Sequence, residues 1–270
     1  MRQLAGIADK LAALLKRDLL IGLHYRTGVA TTVLGALAEL AAFYYLARAV
    51  GPGFRPEGIN YFAFLLVGTG FYTFLMLSIN AFLRVVQEAQ QSGTLEVLMT
   101  TATSGPTLVF LSAVSAFAGN AAQLAFYFGA GTLLLDSSFP VPRFPAGALV
   151  LLLSIGIAAA IGMLAAALQL ATQRGSAVLW AFGSGAWFLT GTLFPVAGLP
   201  KPLRFVSEVI PLTHCLTGMR LALLQTGQPS LLAHEITILF AFALTLLPLG
   251  TITFSYALRR ARQQGTLSFY

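Results

Sequence analysis

Long stretches without a charged residue are the feature of this sequence that most restricts its fold. Five stretches contain no charge at all and lie at 58–83, 97–135, 144–173, 175–200 and 236–258. A sixth apolar stretch, 27–47, is interrupted only by Glu39. A helix needs about 20 apolar residues to cross the hydrocarbon core of a bilayer, and every stretch is long enough. The sequence therefore predicts an all-α membrane protein with six transmembrane helices.

The composition favours a membrane protein over a soluble one. Only 9% of the 270 residues are charged, whereas soluble domains average about 25%. The single cysteine, Cys215, excludes an internal disulfide, and the three histidines lack metal-ligand spacing, so we expect no metal site. The basic residues flank the apolar stretches, which is the pattern that membrane orientation sets, and we expect no nucleic-acid partner.

The distribution of Lys and Arg predicts the orientation in the membrane. If the N-terminus is inside, ten of the 16 Lys and Arg residues lie on the inner side and six on the outer side. This excess favours cytoplasmic N- and C-termini, and an even number of spans agrees with it. We expect Cys215 on the outer side, within reach of a membrane-impermeant thiol reagent.

Residues 1–24 are predicted to form a cytoplasmic amphipathic helix on the inner membrane surface. Ile7, Leu11 and Leu14 belong to an apolar helical stripe, and the charged residues mostly lie off it. Lys16 falls where a signal peptide would have its apolar region, so we do not expect a cleaved signal. A solvated cytoplasmic lead-in is the alternative interpretation.

The polar segment 85–104, which is predicted to be cytoplasmic and to lie between helices 2 and 3, contains a short amphipathic run. Gly93 lets the chain turn sharply into a helix, and the three large apolar residues that follow form a ridge. An amphipathic helix outside the bilayer needs a surface to cover such a ridge. The surface of a partner protein would do so, and the membrane surface is the alternative. The candidate docking residues are Gly93, Thr94, Leu95, Glu96, Leu98 and Met99.

The segment 196–228 is predicted to be an outer re-entrant segment. Its prolines discourage helix continuation, and the pieces between them, about 203–210 and 212–224, are too short to cross. Irregular backbone at membrane depth is tolerated only where protein or a water-filled cavity covers it. We therefore expect re-entrant half-helices before helix 6, and a structured extracellular loop is the alternative. The candidate residues of an outer gate are Phe194, Pro195, Pro200, Pro211 and Arg220.

Glu39 is the ionisable residue that lies midway along a predicted span. Carboxylates at that depth usually face a protein interior or an aqueous path. Glu39 is therefore a candidate for a translocation path, and a structural hydrogen bond to a neighbouring helix is the alternative.

No catalytic residues are predicted. The chain lacks G-x-S-x-G and H-E-x-x-H motifs, and it lacks a P-loop because none of its three lysines follows a glycine. We therefore do not expect an enzyme, and we do not expect the chain to hold the phosphates of ATP.

Three stretches resemble a known family when they are taken in order. They are SGTLEVLMTTATS at 92–104, the Phe-Pro, Leu-Pro, Pro-Leu and Arg pattern of 194–227, and the basic tail RRARQQGTLSFY at 259–270. Together they resemble the permease (transmembrane) subunit of a bacterial type-2 ATP-binding-cassette (ABC) exporter. Segment 92–104 is similar to the family's coupling helix, which sits in a groove of a separate ATPase subunit. Thr-Ala-Thr at 101–103 departs from the pattern, since many members have a proline there.

The resemblance implies a single permease domain, 1–270, in the bacterial cytoplasmic (inner) membrane. Two copies of the permease would work with two nucleotide-binding ATPase subunits, which would hold ATP and Mg²⁺, while this chain would bind no cofactor. The implied activity is export of an amphipathic or lipid-like substrate, such as a drug, a lipid or a lipid-linked glycan. The alternatives are an intramembrane lipid-modifying enzyme that uses Glu39, His214 or Glu235, and an ion-coupled secondary transporter, which would be expected to contain inverted repeats.

Overall fold

The computed structural model describes residue 16 and residues 26–91, 105–134, 144–225 and 227–264. These parts of the chain form helices and contain no strand. Short 3-10 helices lie at Pro56–Gly58 and Val196–Gly198. The α-helices are α1 (Arg26–Val50), α2 (Tyr61–Gln91), α3 (Gly105–Leu134), α4 (Phe144–Thr172), α5 (Gly175–Leu189), α6 (Lys201–Val209), α7 (Pro211–Leu223) and α8 (Pro229–Gln264).

Four of these helices are long and apolar enough to cross a membrane. The qualifying segments are Thr27–Val50, Tyr61–Gln91, Phe144–Thr172 and Pro229–Gln263. They correspond to predicted helices 1, 2, 4 and 6. α3 has 30 residues without a charge and lies where the third span is predicted. The all-α membrane fold is therefore confirmed, while the layout of six spans stays a prediction.

The predicted fifth span, 175–200, is not one continuous helix. α5 has 15 residues, a length of about 22 Å, which is shorter than the hydrocarbon core of about 30 Å. After α5 the chain turns at Gly191, whose φ is +77°. A Cβ at this position would lie 2.9 Å from the side chain of Val196. Glycine is required here for both its conformation and its size, so the helix ends early.

Two short helices follow the turn, as the proline positions predict. α6 has Pro202 in its first turn, and α7 begins at Pro211. Proline is tolerated in the first turn because an N–H there has no intrahelical acceptor. The Thr213 hydroxyl donates to the Ser207 carbonyl at 2.7 Å and bridges the break between the two helices. The depth of this segment in a membrane stays a prediction.

α2 lies at the centre of the bundle. It packs against α3, α4 and α7, while α4 also packs along α8. Several of its aromatic residues are fully buried, among them Phe64, Phe71 and Phe74. α1 lies against α2 and α3 and leaves much of its surface outward-facing. The elements that could enclose a polar site are therefore grouped around α2.

Small residues let α4 approach its neighbours closely. The sequence predicts a close-packing face at Ala158, Gly162 and Ala166, and all three residues are buried. A Cβ on Gly162 would lie 2.8 Å from the Ile79 carbonyl oxygen of α2. The predicted packing face is confirmed, and it faces α2.

Candidate functional site

A cavity of about 240 Å³ lies between α1, α2 and α3 and contains Glu39. α1 contributes the carboxyl group, and the two other helices contribute most of the remaining polar groups. The polar lining residues are Thr31, Thr32, Glu39, Thr73, Asn120, Gln123 and Tyr127. The cavity therefore places one carboxyl group among hydroxyl and amide groups, within helices that are otherwise strongly apolar.

Both interpretations of Glu39 receive support from its surroundings. Its carboxyl group is within hydrogen-bonding reach of the Tyr127 hydroxyl of α3, so it does interact with a neighbouring helix. The Tyr127 hydroxyl also lies 3.0 Å from the Thr69 hydroxyl of α2. Glu39 is only partly buried and lines the cavity. The carboxyl group thus has a structural partner and open space beside it.

A second cavity, of about 750 Å³, lies on an adjacent face of α2, against α5. Its wall is aromatic, and Thr73 and Leu77 border both cavities. The Tyr72 hydroxyl donates to the Gly183 carbonyl at 2.5 Å and joins α2 to α5. Other lining residues are Met76, Asn80, Trp180, Trp187 and Phe188. One stretch of α2 therefore separates a polar cavity from an aromatic one.

Arg220 is buried inside the bundle, with 3% of its surface exposed. Its Nη2 donates to the carbonyl oxygens of Phe64 at 3.3 Å and Thr192 at 3.1 Å. The guanidinium carbon lies 3.5 Å from the centroid of the Phe64 ring. A Cβ on Gly68 would contact Nη2 and would lie 2.5 Å from the Thr192 carbonyl oxygen. Gly68 thus makes room for a cation that joins α7, α2 and the turn after α5.

The other predicted gate residues lie nearer the surface. Phe194 and Pro195 are half-buried in the turn between α5 and α6. Pro200 is exposed and precedes α6, whereas Pro211 is half-buried and begins α7. Arg220 is therefore an internal anchor of the segment that carries these residues.

His214 and Glu235 form a hydrogen-bonded pair between α7 and α8. Nδ1 of His214 lies 2.9 Å from Oε2 of Glu235, and Nε2 lies 2.9 Å from the Glu208 carbonyl oxygen. Burial lowers the pKa of the His214 imidazole, but the hydrogen bonds to Glu235 and Glu208, with the charges of these residues, raise it above its ordinary value overall. These contacts stabilise the protonated ring.

This geometry does not favour the enzyme alternative. His214 and Glu235 do come together, but Glu39 lines a different cavity. Both ring nitrogens of His214 already have hydrogen-bond partners, so neither is free to accept a proton from a substrate. Within the described ranges, no group of three His, Cys, Asp or Glu residues could hold a metal ion.

The expected accessibility of Cys215 is wrong. Its side chain is 0% exposed and packs in the main hydrophobic cluster with residues of α2 and α4. A small thiol residue behaves as an apolar side chain in such a position. Cys215 therefore contributes to the packing of α7, and a water-soluble thiol reagent should not reach it in the folded protein.

Two predicted segments lie wholly or largely outside the described residues. The amphipathic helix at 1–24 is one of them. The other is the docking segment, whose residues Gly93, Thr94, Leu95, Glu96, Leu98 and Met99 fall between the last residue of α2, Gln91, and the first of α3, Gly105. Residues 85–91 of the predicted polar segment belong to α2.

Sequence reasoning missed the residues that surround Glu39. Asn120 and Gln123 are polar, lie in a charge-free stretch and are three residues apart, so they share one face of α3. That spacing could have identified them as candidates. Nothing in the spacing of Tyr127 and Thr69 pairs them with each other or with Glu39.

A comparison with known families matches a large part of the chain. The profile of a family described as "ABC-2 family transporter protein" matches residues 49–252. The matched region contains the segments 92–104 and 196–228, and it contains α2 and α3, which line the cavity at Glu39 together with α1. No curated protein shows significant similarity to the chain.

Proposed function

The chain belongs to the ABC-2 transporter family, so it is a membrane permease of an ABC transporter, and we propose that it acts as an exporter subunit. Two copies would assemble with two ATPase subunits in a bacterial cytoplasmic membrane. The observation that carries the proposal is the family match over 49–252, which includes both irregular segments of the sequence. ATP hydrolysis on the partner subunits would drive an amphipathic or lipid-like cargo outward.

ATP hydrolysis is assigned to the partner because the sequence lacks a phosphate-binding loop. The purified chain alone is therefore expected to hydrolyse no ATP above background. Hydrolysis should appear when the chain is co-purified with its ATPase, and the complex should contain two copies of each subunit. Phosphate release and the mass of the complex measure both results. Strong hydrolysis by a preparation that contains no partner would contradict the proposal.

The two cavities beside α2 support a path for amphipathic cargo. The cavity at Glu39 offers hydrogen-bonding groups, and the cavity at α5 offers aromatic surface, with Trp180 75% exposed. A cargo with a polar and an apolar part could contact both cavities near Thr73, which lines each of them. A second copy of the chain, packed against α1 and α5, would enclose these openings from the lipid.

The path at Glu39 should contain water, and cysteine chemistry can test this. A thiol reacts through its thiolate form, which water supports and lipid suppresses. With Cys215 replaced by alanine, Gln123→Cys is expected to react with a small maleimide at least about tenfold faster than Phe126→Cys. Both positions lie on α3, but Gln123 lines the cavity whereas Phe126 faces outward and is 40% exposed. Equal rates at the two positions would contradict an aqueous path.

The proposed orientation places α6 on the outer side of the membrane. Lys201 is exposed at the start of α6, so Lys201→Cys should react in intact cells with a membrane-impermeant maleimide. Cys215 serves as the internal control, because its buried thiol should stay unlabelled in the parent protein. Labelling of Lys201→Cys only after the inner face is opened would reverse the orientation and remove the basis for an outer gate.

A further inference from the structure

A third cavity, of about 430 Å³, lies where α1 ends and α2 begins. The last turn of α1, the connecting residues 51–60 and the first residues of α2 form its wall. Its lining residues are Tyr44, Ala47, Arg48, Gly51, Pro52, Phe54, Arg55, Asn60, Tyr61 and Phe62. It shares no residue with the cavities at Glu39 and α5.

The charges that line this third cavity are both positive. Arg48 and Arg55 supply them, and no acidic residue is among the lining residues. Neither guanidinium group forms an ion pair with another residue in the described ranges. The negative end of the α1 dipole and the positive end of the α2 dipole both face this region and oppose each other. Both charged side chains of the lining are therefore positive, whereas Glu57 of the connecting residues is not among the lining residues.

Aromatic contacts hold the wall of the cavity in place. Tyr44 and Phe62 pack edge to face with ring centroids 5.6 Å apart, and the rings of Phe54 and Tyr61 do so at 4.9 Å. These pairs join α1 to α2 and the connecting residues to α2. Arg48 lies over the Tyr44 ring, with its guanidinium carbon 5.9 Å from the centroid. One of the two cations is thus positioned on a packed aromatic surface.

The position of the cavity brings it to the membrane surface. It joins the ends of two helices that are able to span, Thr27–Val50 and Tyr61–Gln91. We propose that this cavity binds the phosphate group of an anionic membrane phospholipid, with Arg48 and Arg55 as the ligands. Arginine matches phosphate geometry with paired N–H donors. The proposal concerns lipid binding by this chain and does not depend on export.

The lining favours a lipid over a free phosphate ion. Beside the two arginines the wall is largely apolar or aromatic and includes Ala47, Pro52 and Phe54. This surface would contact the glycerol and the first methylene groups of a lipid, which a free ion lacks. A cavity of about 430 Å³ also exceeds the size of one phosphate group. The phosphate group is common to a phospholipid and to the free ion, so the experiment must distinguish these two ligands.

In the test, each probe is titrated into the detergent-purified full chain, and the unfolding temperature is measured at each concentration. The probes are dihexanoylphosphatidylglycerol, dihexanoylphosphatidylcholine and sodium phosphate. We expect the phosphatidylglycerol to raise the unfolding temperature at a concentration about tenfold lower than either of the others. Arg48→Gln and Arg55→Gln should each raise the phosphatidylglycerol concentration that gives the same increase in unfolding temperature by about fivefold. The double variant should raise it by about 25-fold.

Arg204→Gln is the matched control. Arg204 is exposed on α6 and pairs with Glu208 at 3.2 Å, so its loss should leave the titration unchanged. All variants should unfold at the wild-type temperature when no lipid is added, because the replaced side chains are exposed. An unchanged titration in the double variant would overturn the proposal. Equal protection by sodium phosphate and phosphatidylglycerol would also overturn it, since the site would then take a free ion.

Discussion

Leu98→Asp is expected to abolish export while the permease still accumulates in the membrane. The change puts a carboxylate into the apolar ridge of the segment 92–104, which we propose to dock into a groove of the ATPase. Glu96→Lys reverses the charge beside that ridge and should have a similar effect. Losing one partner of a buried charge pair at an interface costs about 2–5 kcal/mol, enough to separate a complex. The measurements are the co-purified ATPase, the export rate and the permease abundance.

Ser92→Ala is the control for this experiment. It changes the same segment but leaves both the ridge and the charge in place, so assembly and export should stay normal. Low membrane abundance of Leu98→Asp would indicate a folding defect. The charge-reversed Glu96→Lys variant would then help to separate a folding defect from a docking defect. If both variants assemble and export normally, the segment is a connecting loop and the docking hypothesis is wrong.

Gly68→Ala is expected to destabilise the permease itself by on the order of 3 kcal/mol. The new methyl group would meet the Arg220 guanidinium on one side and the Thr192 carbonyl oxygen, at 2.5 Å, on the other. The carbonyl belongs to the backbone, so the clash cannot be relieved by rotating a side chain. Displacing Arg220 would also break its hydrogen bonds to Phe64 and Thr192. The measurement is the unfolding temperature in detergent.

Gly119→Ala is the matched control, because a Cβ on this α3 residue meets no atom within 4 Å. Alanine is a better helix former than glycine by up to about 1 kcal/mol, so Gly119→Ala should be neutral or stabilising. Wild-type stability of Gly68→Ala would mean that the guanidinium can move away without loss. Arg220 would then be dispensable as an anchor between α7 and α2.

The positions of the long helices could be predicted from the sequence. The charge-free stretch 144–173 matches α4, and the stretch 27–47 matches most of α1. The end of α2 was harder to predict, because the helix continues past Arg84 to Gln91. A charged residue ends an apolar stretch but does not end a helix, since backbone hydrogen bonds continue into water. The proline positions correctly predicted that the segment 196–228 breaks into short helices.

The environments of the polar residues could not be predicted in the same way. Arg220 is buried because Gly68, far away in the sequence, leaves space for it. Glu39 has Tyr127 as its partner because α1 packs against α3. Such pairs depend on how helices pack, which periodicity within one helix does not reveal. The early end of α5 depends likewise on Gly191, whose φ of +77° is not helical and whose missing Cβ leaves room for the side chain of Val196.

The length of α2 has a mechanical consequence. Its 31 residues form a rod of about 46 Å, longer than the hydrocarbon core of about 30 Å. Along this rod lie the Arg220 contact at Phe64, the boundary of two cavities at Thr73, and the end at Gln91, after which the predicted docking segment follows in the sequence. A continuous helix transmits a tilt along its whole length. A small push at Gln91 would therefore change the width of both cavities at once, with the Arg220 contact as the pivot.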